Sequence, residues 1–475
     1  MKKTVLFLAL SAALSGCNLD EKDDATSPVV DTSPVVDTSP VVDTEETPEV
    51  SPEDRFLAMT NHLNLTSSVD ASGIGIGVID GGANSEHIEF EGRLFEVGYD
   101  YDEFEAALLN EGFEEYVLNH WLNGLDHGSH VSAIAGGGDK GVAKNAYIFS
   151  SINPWASLNR ELIECSDVYM SSTELTYACQ MESMLNKSSE LGLGLADGGI
   201  SVFNWSFTYY NGLLYQVSPV TDEQAQAYPA GENEAYMEAA PLESYGLHIT
   251  PEGAGGGIDE EGAYVEGFRF ENDGIVHQLR DLLTSTQNDP YERVIVNAAG
   301  NYWSGKNYSD YFLKEWYDRK TLYPNNPIIN SLTSIFEDTG EGGLAESFLF
   351  VINGFIDEQN GELKHSVTSN IPGSRPEVQA RFVLAPGSRT SAFSFDWDEN
   401  GLHDDYGYMG GTSQSAPLVS GVIATLRALH PTKTPVDIAN AILDSANRDF
   451  PNYDPYYHGM GLMDVEAANA LLSQQ

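Results

Sequence analysis

Tyr408-Met-Gly-Gly-Thr-Ser-Gln-Ser-Ala-Pro-Leu-Val-Ser-Gly-Val-Ile-Ala-Thr-Leu-Arg-Ala-Leu429 decides how the rest of the chain is read. Gly410 and Gly411 let the backbone pass close to another group or take a positive φ. Thr412 and Ser413 stand where a helix should begin, with Pro417 in its first turn, where proline is tolerated. Leu418, Val419, Val422, Ile423, Leu426 and Leu429 then recur at helical spacing with almost no polar side on the early turns. That pattern predicts a buried helix. A serine at its mouth has its hydroxyl beside unpaired backbone N–H groups and the positive end of the helix dipole. Those donors suit a developing oxyanion. Taken alone, Ser413 reads as an N-cap residue, the commoner duty of a serine there; its partners upstream decide.

Ile74-Gly-Ile-Gly-Val-Ile79 reads as a buried strand of a parallel sheet, ending on Asp80-Gly81-Gly82. An acid at the carboxyl end of such a strand lies where open α/β sheets place their sites, although a strand-ending turn aspartate reads the same way. Asp126-His127-Gly128-Ser129-His130-Val-Ser-Ala-Ile-Ala-Gly136 places His127 at the start of a helix, with Val131 and Ile134 inward. His127 and His130, three apart, also have metal-ligand spacing, but no zincin-type Glu-plus-His arrangement accompanies them. His130 reads as a packed structural histidine. Further strands are expected at Val202–Phe207, Val294–Ala299 (followed by Gly300-Asn301), Phe348–Asn353 and Phe382–Gly387, and helices at Gly274–Leu283 and Pro435–Leu443.

Gly411-Thr-Ser413-x-Ser-x-Pro417 resembles the nucleophile motif of the subtilisin-like (subtilase) serine proteases. The His127 segment resembles that family's histidine motif, with Ser129 in place of threonine. Val202-Phe-Asn204-Trp-Ser206 resembles its Ile-Asn-x-Ser segment, whose edge pairs with the substrate backbone, and Ala298-Ala299-Gly300-Asn301 resembles its Ala-Ala-Gly-Asn. The order Asp80, His127, Ser413 is that of subtilisin. The resemblance covers about residues 70–470 and implies an α/β fold, a three-layer α/β/α sandwich on a mainly parallel central sheet. Residues 155–198, 209–272 and 302–345 read as loop insertions walling a cleft.

The resemblance also implies a chemistry. Ser413 would form an acyl-enzyme, His127 would act as general base and acid, Asp80 would orient it, and Asn301 with the Ser413 N–H would form the oxyanion hole. Trp205, Ser206, Phe207, Ala298, Ala299 and Gly300 would border the substrate. Proteins or peptides are the expected substrates, no cofactor is needed for the chemistry, and structural calcium is a family habit. Three departures stand out. Gly81 replaces the usual Ser or Thr, so one hydrogen bond to Asp80 should be missing; Gly410 stands where many members have Asn, and Thr208 where Gly is frequent. A transpeptidase or cyclase using the same acyl-enzyme, and a non-catalytic binding lipoprotein on the same scaffold, are the alternatives.

Composition bounds the rest. The 475 residues carry 72 acidic and 23 basic side chains, a formal charge of −49, which excludes phosphate-backbone binding as a main activity. Lys2 and Lys3 precede an apolar run from Thr4 to Leu14, too short to span a bilayer. Leu14-Ser-Gly-Cys17 then resembles a lipobox, so residues 1–16 read as a lipoprotein signal peptide and Cys17 as the lipidated residue. Asn18 is not the aspartate of an inner-membrane retention signal, so an outer-membrane anchor is expected in a Gram-negative cell.

Residues 17–52 contain Ser-Pro-Val-Val-Asp-Thr three times and no aromatic residue, the composition of an extended acidic tether. The peptidase domain is expected over 53–475 as a monomer. Only the tether fills the interval where many secreted subtilases carry a pro-domain, and no barrel-strand pattern follows the enzyme, so a free-standing lipoprotein is expected. Cys165 and Cys179 are expected to pair, a loop closure worth roughly 3 kcal/mol.

Overall fold

The computed structural model describes residues 57–61, 67–102, 115–152, 177–196, 199–206, 255–258, 264–268, 279, 282–284, 291–301, 343–357, 362–366, 369–373, 375–394 and 402–474. The signal segment, Cys17, the tether, Cys165, Phe207, Thr208 and most of the expected Gly274–Leu283 helix lie outside them.

The amino-terminal half supplies β1 (Gly75–Asp80), β2 (Leu94–Val97), α1 (Glu115–Gly136), β3 (Tyr147–Ile152), α2 (Tyr177–Glu190) and β4 (Ile200–Trp205). A hairpin of β5 (Gly255–Ile258) and β6 (Tyr264–Phe268) comes next, then β7 (Val294–Ala298), β8 (Phe348–Ile356) and β9 (Leu363–His365). The remainder is α3 (Pro376–Gln379), β10 (Phe382–Pro386), β11 (Ser388–Ala392), β12 (Tyr406–Gly410), α4 (Thr412–Leu429), α5 (Pro435–Asp444), α6 (Pro455–His458) and α7 (Val465–Leu472).

The central sheet runs β10-β8-β7-β4-β1-β3-β2, with all these neighbours parallel and β9 antiparallel on the flank of β8. Side chains alternate across it. Ile76 and Val78 face a layer containing Val131 and Ile134 of α1, Val419, Val422 and Ile423 of α4, and Ile438 and Ile442 of α5. Ile79, Phe149, Phe203, Ile295 and Phe350 face the other layer, where α2 lays down Ala178, Met181 and Met184. Each such fully buried aliphatic or aromatic side chain stabilises the fold by about 1.5–3 kcal/mol relative to exposure. The result is the expected three-layer α/β/α architecture.

Two features place the site. Asp80 shares the parity of Ile76 and Val78, so it points into the layer that holds both α1 and α4. β1 also has β3 on one flank and β4 on the other, a reversal of strand order of the kind that opens a crevice at the carboxyl ends of strands.

The sequence reading needs correction at two helices. His127 lies well inside α1 rather than at its start. Glycines in and beside this helix serve close packing: a Cβ on Gly128 would overlap the Gly82 carbonyl, and one on Gly81 would overlap the Gly124 carbonyl. Residues 177–190, assigned to a loop insertion, form α2 and pack on the sheet. Their apolar spacing (Ala178, Met181, Met184) carried that signal.

Below the sheet's β10 edge, His365 stacks on Tyr457, and His458 packs against Phe450 and Tyr453. Burial, then the neighbouring His365, pushes the pKa of His458 down to about 4. An unfolded chain returns that imidazole to about 6.5, so between these values it binds the proton that the folded chain refuses. Stability therefore falls as pH drops from about 6.5 to about 4. Against a His458→Phe variant, the native chain is expected to lose about 2–3 kcal/mol more between pH 7 and pH 4 in denaturant melts. An equal loss in both proteins refutes this.

Candidate active site

Asp80 closes β1, and its Oδ1 accepts the Nδ1–H of His127 at 2.6 Å and the backbone N–H of Gly81 at 2.7 Å. Both side chains are buried. An imidazole that donates from Nδ1 keeps Nε2 as its basic nitrogen. Among the described residues, none donates a hydrogen bond to Asp80 Oδ2. The glycine at 81 brings no hydroxyl to it, and the Gly124 carbonyl occupies the space that a serine or threonine would need.

Around His127 the helix is held from two sides. Ser394 donates its Oγ–H to the Leu125 carbonyl at 2.7 Å and its N–H to Asp126 at 2.8 Å. Ser129 Oγ bonds Ser394 Oγ at 2.6 Å and accepts the Asn84 N–H at 2.9 Å, which ties α1 to the turn after Asp80. His130, one turn on, is fully buried and donates Nε2–H to the Arg389 carbonyl at 3.2 Å. Burial, and then His127 beside it, pushes its pKa down to about 3, so it is a neutral structural group. Among the described residues, no cluster of three or more His, Cys, Asp or Glu is arranged to hold a metal.

Ser413 lies in the first turn of α4, behind Gly411 at φ 146°, a region L side chains avoid. The cap is Gly411 and makes no side-chain bond, so Ser413 is not the N-cap. Its Oγ–H donates to the Ser206 carbonyl at 2.9 Å, and Ser206 Oγ–H donates back to the Ser413 carbonyl at 2.7 Å. Ser206 follows Trp205, which pairs with Ile79, so it lies level with Asp80 on the neighbouring strand. The structure thus seats the Asp80–His127 pair and Ser413 around the carboxyl ends of β1 and β4, with the serine hydroxyl turned to Ser206.

Asn301 follows β7, and its Oδ1 accepts both the N–H and the Oγ1–H of Thr412, at 2.9 and 3.0 Å. Thr412 Oγ1 in turn accepts the Gly300 N–H at 3.0 Å. With Oδ1 fixed, the amide donor Nδ2 is turned toward Gly411, beside the nucleophile turn. The other residues assigned to substrate divide. Trp205 packs edge-on against Phe348 in the core, and Ala298 and Ala299 are buried on opposite faces of the sheet. These three side chains are buried in the core, while Ser206 and Gly300 bond the Thr412–Ser413 turn.

Two participants, Thr412 and Ser394, had no separate signal in the sequence. Thr412 was read only as part of a motif, and Ser394 lies in a stretch without periodicity. Asn370 donates Nδ2–H to the Ala299 carbonyl at 2.9 Å and its N–H to the Gly300 carbonyl at 2.8 Å, bracing the approach to Asn301. Gln414, directly after Ser413, is fully buried, with Nε2 3.9 Å from Met409 Sδ. Cys179 is buried and disulfide-bonded. No helix among the described residues is long and apolar enough to cross a membrane.

Comparison with known proteins adds an independent line. Among curated proteins, subtilisin-like protease SBT3.11 of Arabidopsis thaliana is 30% identical over 103 residues, 21% of this chain and 13% of that protein. SBT3.12 of the same plant is 22% identical over 232 residues, 43% of this chain and 29% of that protein. The chain thus matches less than a third of the length of either relative. Among solved structures, fervidolysin from Fervidobacterium pennivorans, a keratinolytic enzyme related to subtilisin, aligns with TM-score 0.42 and 16% identity over 86% of this chain and 44% of its own. The PatG macrocyclase domain aligns with TM-score 0.45 and 15% identity over 89% and 97%. The Subtilase family profile (peptidase S8) matches residues 71–461, a span holding Asp80, His127, Asn301 and Ser413, and the chain belongs to that family of subtilisin-like serine proteases.

Proposed function

We propose that the chain is a serine endopeptidase that hydrolyses peptide bonds of proteins through an acyl-enzyme on Ser413. The observation that carries this reading is the buried 2.6 Å bond from His127 Nδ1 to Asp80. It holds the imidazole in the tautomer whose Nε2 can take a proton. Ser413 Oγ turns from the Ser206 carbonyl toward His127, gives up its proton to Nε2 and adds to the scissile carbonyl. The oxyanion is held by the Ser413 N–H and Asn301 Nδ2. Collapse returns the proton to the leaving amine; water, deprotonated by the same imidazole, then adds to the acyl carbon, and the imidazolium returns that proton to Ser413 Oγ as the acid leaves. The Asp80 carboxylate stabilises the imidazolium.

A fluorophosphonate is expected to label Ser413 in the full-length chain, read by peptide mass mapping. Labelling at another residue refutes the assignment. Asn301→Ala is expected to lower kcat by about 10²–10³ with little change in KM, because the donor acts on charge that develops only in the transition state. A change confined to KM would remove Asn301 from the oxyanion hole.

The proposal extends to location. Export and lipidation at Cys17, with residues 17–52 as tether to the envelope, are supported by the charged, apolar and lipobox pattern of the first 17 residues. No cofactor enters the proposed chemistry; calcium, if bound, would be structural.

A further inference from the structure

We propose that Ser206 is a positioning residue for the nucleophile: it supplies the donor that Pro417 denies to the Ser413 carbonyl, and Asn204 and Ser420 fix the direction of its hydroxyl. The inference rests on the reading of Ser413 as nucleophile.

In an α-helix the carbonyl of residue 413 would accept the N–H of residue 417. Residue 417 is a proline inside α4 and has no N–H. A buried backbone carbonyl needs a partner, and Ser206 Oγ–H reaches it from the end of β4 at 2.7 Å. The direction of that proton is set further in. Ser420 Oγ–H is shared between Asn204 Oδ1 at 3.0 Å and the Ala416 carbonyl at 3.1 Å, and with Oδ1 accepting there Asn204 presents Nδ2 to Ser206 Oγ, at 2.9 Å. A hydroxyl that accepts there keeps its own hydrogen for the Ser413 carbonyl. The Asn204 amide suits this relay because its acceptor and its donor sit on separate atoms, so fixing one end fixes the other. Asn204, Ser206, Ser413 and Ser420 are all buried, so water does not compete for the relay.

The consequence falls on the oxyanion site. On one side of Ser413 the Thr412 N–H is tied to Asn301, and on the other the Ser413 carbonyl is tied to Ser206. The Ser413 N–H lies between these two fixed points. Releasing one lets the peptide tilt, and a misplacement of about 1 Å at a reacting centre costs on the order of 10² in rate.

The test is a double-mutant cycle in the full-length chain. Ser206→Ala is expected to lower kcat about 10- to 100-fold with KM within about threefold of native, and Ser206→Thr, which keeps the hydroxyl, to recover most of it. Pro417→Ala returns an N–H to residue 417, so in that background losing the Ser206 hydroxyl should cost several-fold less. A purely structural serine would lower the melting temperature and be indifferent to residue 417. Unchanged kcat in Ser206→Ala, or the same fold-loss in both backgrounds, overturns the proposal. Should Ser206→Ala not fold, Ser206→Cys, a weak donor, takes its place in the cycle and the same two results decide. Failure of the native chain to label at Ser413 would instead sink the functional reading, so the two failures are distinct.

Discussion

Replacing Ser413 by alanine is expected to abolish hydrolysis of an unfolded protein substrate, with a fall in kcat on the order of 10⁶, the scale seen for subtilisin without its nucleophile. The effect should be this large because no other group described at the site can substitute. Ser206, whose hydroxyl lies against the same turn, donates to the Ser413 carbonyl and accepts from Asn204, so its proton is committed away from the imidazole. The variant should remain folded, since Ser413 Oγ makes one bond to a carbonyl and its removal leaves a void of a single atom. Turnover within tenfold of native in a folded Ser413→Ala protein would end the assignment.

Asp80→Ala should lower kcat by on the order of 10⁴, again the scale of the same position in subtilisin. Here the more informative change is Asp80→Asn. In this structure both donors, His127 Nδ1–H and Gly81 N–H, converge on Oδ1, while Oδ2 receives none from the described residues. An asparagine can present its carbonyl oxygen to both and place its amide where Oδ2 stood. The imidazole tautomer is then kept and only the negative charge is lost. Asp80→Asn is therefore expected to retain at least about tenfold more activity than Asp80→Ala. Equal losses would show that the charge, and not the acceptor, is all that Asp80 contributes.

The sheet was readable because its strands are short, mainly apolar runs such as Ile74–Ile79 and Val294–Ala299. The nucleophile helix was readable from Leu418, Val419, Val422 and Ile423. What the residues did not disclose is whatever depends on two backbones meeting. Gly124 and Gly128 look like loop residues in one dimension and are contact surfaces in three. The relay from Ser420 to Ser413 passes through Asn204 and Ser206, more than two hundred positions upstream, and no spacing rule connects them. Cys179 was expected in a disulfide and is in one; its expected partner, Cys165, lies beyond the described residues.

The glycine contacts midway along α1 also tie two properties that enzymes usually adjust separately. The distance between acid and imidazole is set there by main chain resting on main chain, Gly128 on Gly82 and Gly81 on Gly124, and not by adaptable rotamers. Adding a hydroxyl at position 81 to complete the shell of Asp80 would push the histidine's helix away from it. Any lineage or engineer seeking a better-supported aspartate must rebuild the helix seat at the same time, so the two changes are accessible only together.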